Sequence, residues 1–153
     1  MKLTIELIPS TAHYTNVRSN VVSRVWNRIR KKCYKLADNR CEICGDIGTN
    51  QGRKHKVECH EIWKYDLSTS IQKLTGFIAL CPLCHQVKHF GRTQLLGVFY
   101  EERAIRHLSK INNISRSEVL DHILQEFNRF QERSKIEWHT DIAYIHEYLK
   151  GGE

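Results

Sequence analysis

The chain has 153 residues, long enough for one compact unit with a modest core and too short for two independent ones. Its mean hydropathy of −0.51 and longest apolar run, Phe77 to Cys81, exclude a membrane-spanning helix, which needs roughly 20 apolar residues. A formal charge of +7 spread along the whole chain fits a polyanionic partner, although charge alone does not choose.

In chain order, Leu3-Thr4-Ile5-Glu6-Leu7 alternates apolar and polar residues and predicts a half-buried strand ended by Pro9-Ser10. Met1 to Ser10 lacks the basic start, long apolar stretch and small-residue cleavage site of a signal peptide, so the expected location is cytoplasmic. From Asn20 to Ala37, residues Val22, Val25, Trp26, Ile29, Cys33 and Leu36 recur at helical spacing. Arg24, Arg28, Lys31, Lys32 and Lys35 take the other side, which predicts an amphipathic helix with a basic outer face. Cys41 to Arg92 holds short extended pieces, turn signals and every cysteine except Cys33. Beyond it, Thr93 to His107 has helical character. Ser115 with Glu118 predicts a capping box opening a helix that runs to about Arg133. A short helix over Ile142 to Leu149 ends before Gly151-Gly152, and Trp138 and Tyr144 read as core. The expectation is one domain over 1–153: an N-terminal strand and basic helix at 1–40, a central unit at 41–92 and a helical extension at 93–153.

Six cysteines without an export signal argue for metal ligation over disulfides, because the cytosol keeps thiols reduced. Cys41-Glu42-Ile43-Cys44-Gly45 and Cys81-Pro82-Leu83-Cys84 are two C-x-x-C units 36 residues apart, and together they supply the four thiolates of a tetrahedral structural Zn²⁺ site. A redox pair would not explain two such units, and an iron-sulfur cluster is the remaining competitor. Gly45 falls where the knuckle's turn calls for a positive φ. Cys33 and Cys59 are left over.

After the second knuckle, Cys84-His85-Gln86-Val87-Lys88-His89-Phe90-Gly91 predicts a short helix that Gly91 stops. His85 and His89 then share one face as i and i+4 partners suited to a single ion. The alternative is that His85 replaces a cysteine in the zinc shell and His89 is a surface residue. Upstream, Lys56 to Trp63 reads as a strand carrying His60. On that strand Glu58 and His60 share one face while Cys59 and Glu61 share the other. A histidine among possible ligands, opposite a histidine-bearing helix, is an arrangement suited to metal-assisted hydrolysis.

The stretch Cys41 to Gly91, about a third of the chain, resembles the HNH endonucleases, or ββα-metal nucleases, of the small bacterial and phage type with a four-cysteine zinc. The resemblance implies an α+β fold: a zinc-stapled, treble-clef-like ββα-metal core with flanking N- and C-terminal helices. It further implies a metal-dependent endonuclease hydrolysing DNA phosphodiester bonds, with duplex DNA as partner and no membrane. On that pattern His60 is the general base, and His85 and His89 hold a catalytic divalent metal (Mg²⁺, Mn²⁺, Ni²⁺ or Zn²⁺). Cys59 stands where the family has Asp or His, so the metal's third side is left among Cys59, Glu61 and Glu58, with Glu61 favoured as the catalytic carboxylate. The family's middle asparagine should fall near Gly76, where Gln72, Thr75 or a backbone carbonyl must replace it. Lys54, Lys56, Lys64, Lys88 and Arg92 are the candidate phosphate contacts. The alternative function is a zinc-containing nucleic-acid-binding module without activity. Sequence specificity and oligomeric state are not legible.

Overall fold

The structure is a computed structural model and describes residues 1–13 and 15–150. Among these residues it is a mixed α+β fold with seven α-helices and one three-stranded sheet. Short helix α1 (Val17–Asn20) leads into α2 (Ser23–Leu36). A long hairpin of β1 (Glu58–Asp66) and β2 (Ile71–Leu80) follows the first cysteine knuckle. Four helices come next: α3 (Pro82–Lys88), α4 (Phe90–Leu95), α5 (Val98–Asn112) and α6 (Arg116–Arg133). Strand β3 (His139–Asp141) and helix α7 (Tyr144–Lys150) close the described chain. Gly151-Gly152 lie outside the described residues.

β1 and β2 pair antiparallel, and β3 adds in parallel beside β2, so β1 is left as an edge. The register jumps from Ile62↔Gly76 to Trp63↔Leu74, leaving Thr75 as an extra residue. Thr75 Oγ1 donates to Ile62 O at 3.1 Å and ties the irregularity down. This shift lets Leu74 and Phe77, of opposite parity, face the same cluster. Cys59, Trp63, Leu74 and Phe77 pack there against Val25, Trp26 and Ile29 of α2 and Ile145 of α7. The opposite layer gathers Leu3, Ile5, Leu80, Val87, Phe90, Ile105, Leu108 and Val119 from the N-terminal segment, β2, α3, α4, α5 and α6.

Several boundaries differ from those predicted. The amphipathic helix begins at Ser23, and Val22 and Leu36, at its ends, are exposed rather than core. Leu3 to Leu7 forms no strand, although Leu3 and Ile5 are buried as the alternation requires. Its backbone is held by two side chains and one carbonyl: Asn112 receives Leu3 N at 3.1 Å and returns Nδ2 to Leu3 O at 2.8 Å, Ile5 N donates to His122 Nε2 at 3.0 Å, and Glu6 N donates to Lys88 O at 2.9 Å. Gly91 does not stop α3. The helix ends at His89 (φ −95°, ψ 48°), and Gly91 lies inside α4, where a Cβ would come within 3.5 Å of Leu7. Thr93 Oγ1 donates to Gln86 O at 2.7 Å, satisfying a carbonyl that the break frees. The predicted capping box is present, with Ser115 and Glu118 bonded reciprocally at the start of α6. Trp138 is buried, with Nε1 on Arg133 O at 2.9 Å.

Candidate metal centres

The four knuckle cysteines converge, with their Sγ atoms all within 4.8 Å of one another and Cys44 Sγ 3.5 Å from Cys81 Sγ. A tetrahedron with metal–sulfur bonds of about 2.3 Å has sulfur–sulfur edges of about 3.8 Å, so the donor set fits a structural metal such as zinc. Local chemistry builds each half. Gly45 has φ 76° and donates to Cys41 O at 2.8 Å, closing the first turn. Cys81 caps the N-terminus of α3, with Pro82 following at its first position. Glu42 grips β2 twice, through Glu42 N to Ala79 O at 2.9 Å and Ala79 N to its own Oε2 at 2.7 Å, so the knuckles keep a fixed separation. Among the described residues, no residue outside this set joins the four donors. His107 of α5 stands just behind, with Nε2 3.2 Å from Cys84 Sγ, and nothing in its sequence surroundings singles it out. The Cys41 thiol is held down to about 6 by hydrogen bonding from Cys44, and hydrogen bonding among the thiols lowers Cys81 as well.

A second group lies at the other end of α3. One ring nitrogen from each of His60, His85 and His89 falls within 4.8 Å of the others. The ring centroids are 5.3 Å apart for His60–His85, 4.9 Å for His60–His89 and 4.7 Å for His85–His89. His60 comes from the β1 face that looks toward α3, and His89 N donates to His85 O at 3.0 Å, preserving the helical register across the break. Burial lowers the His89 pKa to about 3, assisted by the charges of His85 and His60, and burial also lowers His60 against the opposing pull of Glu6. His60 and His89 therefore favour the uncharged form with a free lone pair, which is the form a metal binds.

Carboxylates stand behind two of these rings. Glu58 hydrogen-bonds His85 Nδ1 and, at 2.7 Å, the exposed His55 Nε2. Glu6 lies with Oε2 2.9 Å from His60 Nε2. Burial would raise both carboxyls, yet hydrogen bonds from His60 to Glu6 and from His85 to Glu58 prevail and hold each at about 2. Neutral imidazoles backed by carboxylates are the usual second layer of a histidine metal site.

Of the three third-side candidates, only Glu58 shares the face of His60. Cys59 faces the other layer, packed with Val57 and Ala79 near Cys33, whose hydrogen bond, together with burial, raises its pKa. Glu61 does not join the histidines: it accepts from Val17 N at 2.9 Å and Trp63 Nε1 at 3.1 Å, fixing the start of α1 against the sheet. Gln72 is buried near Thr15, Tyr65 and Thr140, whereas Thr75 does bind β1.

The histidine group opens into a cavity of about 900 Å³, whose walls include Glu6, Trp63, Arg92, Arg129 and Arg133. Of the five expected phosphate contacts, only Arg92 lines it. Lys54, Lys56 and Lys64 are exposed elsewhere. Lys88 is not available to a phosphate, since it is 6% exposed and its Nζ is bound by Glu6 Oε1 at 2.5 Å and Thr4 Oγ1 at 3.0 Å. Sequence reasoning also missed Glu6, Arg129 and Arg133. Glu6 carried one faint signal, as the single carboxylate in an otherwise uncharged run. Among the described residues, no helix is long and apolar enough to cross a membrane. No protein family, curated protein or solved structure matches the chain.

Proposed function

We propose that the chain is a metal-dependent endonuclease of the HNH type, hydrolysing DNA phosphodiester bonds. One observation carries this reading: His60 of the hairpin and His85 and His89 of the following helix converge within 4.8 Å, beside a separate four-cysteine group. Closed sulfur sites hold shape, whereas a histidine group at the wall of an open cavity leaves room for a substrate oxygen. Arg92 and Arg133 on the same walls offer the positive charge a phosphodiester needs, while Arg129 is paired with Glu126.

His85 and His89 would hold a divalent ion, with Glu58 orienting His85 from behind. The ion's contribution is Lewis-acid stabilisation of the charge that develops on the phosphate and leaving oxygens. His60, uncharged at neutral pH, accepts the proton of the attacking water. Arg92 fixes the flanking phosphate. Nitrogen donors favour ions such as Zn²⁺ or Ni²⁺ over Mg²⁺, which prefers oxygen.

The closeness of His60 to the other two rings supports a second role, as a third ligand in place of a free base. Titration with Co²⁺ separates the two: His60→Ala keeps the metal spectrum if it is the base and loses it if it is a ligand. The function itself is tested by incubating the protein with supercoiled plasmid and Mg²⁺, Mn²⁺, Ni²⁺ or Zn²⁺, beside His60→Ala and His85→Ala. Nicking by wild type and its loss in both variants is expected. DNA binding without nicking under any metal would favour the inactive binding module instead, and nicking by His85→Ala at the wild-type rate would overturn the assignment of the metal site.

A further inference from the structure

We infer that Glu6 is the positioning residue of the histidine centre: its carboxylate, fixed by Lys88, holds the His60 ring with its proton on Nε2 and its lone pair on Nδ1. The kinetic part of this inference rests on the nuclease reading, but the assignment of the ring's proton rests on geometry alone.

Both carboxylate oxygens of Glu6 are engaged. Oε1 accepts from Lys88 Nζ at 2.5 Å, and that ammonium is buried, with Thr4 Oγ1 as its other partner. A carboxylate bound to an ammonium is ionised and can only accept hydrogen bonds. Oε2 lies 2.9 Å from His60 Nε2, so Nε2 must be the donor. A neutral imidazole carries one N–H, which leaves Nδ1 bare. His60 is 5% exposed, so water offers little competition for either nitrogen. Glu58 does the same for His85 with the nitrogens exchanged, since it receives Nδ1 and leaves Nε2 free.

Glu6 can do this because its backbone is held at several points by three different helices. Glu6 N donates to Lys88 O of α3 at 2.9 Å, Ile5 N to His122 of α6, and Leu3 is clasped on both N and O by Asn112 of α5. The side chains of Leu3 and Ile5 are sunk in the core. Residues far from the hairpin in sequence thus set the aim of one carboxylate. This gives the N-terminal segment and helices α5 and α6 a task at the site beyond covering the sheet.

The test uses zinc-loaded protein labelled with ¹⁵N at histidine. Long-range ¹H–¹⁵N spectra of wild type should show His60 protonated at Nε2 with Nδ1 bare, and Glu6→Ala should shift the ring toward a mixture of tautomers or the Nδ1–H form. In plasmid cleavage Glu6→Ala should lower kcat by about 10- to 100-fold with KM within about twofold, the range for loss of a residue that orients a metal-site or catalytic imidazole. Glu6→Gln, nearly the same size, should fall between the two. An unchanged His60 spectrum in both variants, or a loss confined to KM, would overturn the inference. If Glu6→Ala does not fold, Glu6→Gln is judged by the same spectrum. If wild type cuts nothing while the His60 tautomer changes as described, the nuclease reading fails and the positioning role stands.

Discussion

Acid should loosen this protein through His89 before its carboxylates titrate. The folded pKa of His89 is about 3 against an ordinary 6.5. Below about pH 6.5 the unfolded chain takes up a proton that the folded chain refuses until about pH 3, so in that window the unfolded state holds more protons and stability falls as pH falls. At about 1.4 kcal/mol per pH unit, the full window is worth at most about 5 kcal/mol, and about 2 kcal/mol once the water in the adjoining cavity screens the charge. His60, also lowered by burial, adds in the same direction. Glu6 and Glu58 act later, their stabilisation being complete above about pH 4.5 and lost toward about pH 2. Urea unfolding of wild type and His89→Gln from about pH 7.5 to about pH 4.5 reads the histidine contribution directly. The wild-type advantage should shrink by about 1–2 kcal/mol across that range. A metal bound through His89 acts with the same sign, because protons compete with it. If the two curves run parallel, His89 is not held uncharged by the fold.

Cys81→Ser should lose the structural metal in elemental analysis and melt without a sharp transition, because structural zinc supplies about 10 kcal/mol or more to small sites; full metal content with an unchanged Tm would refute the four-thiolate site. Lys88→Met should destabilise by about 1–3 kcal/mol, less than a fully buried pair because Glu6 is partly exposed. In the double variant with Glu6→Gln the two losses should sum to less than additive, and strict additivity in urea titrations would mean that the pair does not form. Arg92→Ala should reduce the slope of log K against log salt for DNA binding by about 1, whereas Lys54→Ala, outside the cavity, should leave it unchanged. Equal slopes for wild type and Arg92→Ala would remove the cavity wall from the DNA path.

What the sequence made legible were features whose chemistry is local. The two C-x-x-C units, the i and i+4 histidines and the Ser115–Glu118 box each bring their partners within a turn or two, and each is found as spaced. What it hid depends on residues distant along the chain. The alternation of Leu3 to Leu7 marks Glu6 as outward-facing but cannot tell that His60 and Lys88 lie there. Lys88 follows His85 by three positions and so shares its helical face, where a charge is drawn to the site's own carboxylate rather than to a substrate phosphate. Gly91 reads as a helix stop when only the glycine is considered, yet it lies inside α4, where a Cβ would make only an ordinary contact with Leu7. β3 has no apolar alternation in His139-Thr140-Asp141, and its pairing with Ile71 to Lys73 spans most of the C-terminal helices.

Both metal-compatible groups hang on α3, and this dictates an order of dependence between them. A helix of seven residues is too short to be stable alone in water. Its first turn carries Cys81 and Cys84, and its last turn carries His85 with His89 at the cap. Metal on the four thiolates would therefore fix the start of α3 against the first knuckle, and Glu42 fixes that knuckle to Ala79 of β2. β2 in turn sets β1 through the register His60↔Ile78, so one rigid path runs from the sulfur site to His60 as well as to His85. The sulfur site can thus hold the histidines in place without touching them, while the histidine site contributes no comparable tie to the knuckles. Loss of the sulfur-bound metal should scatter all three imidazoles, whereas loss of His60 or His85 should leave the sulfur site intact.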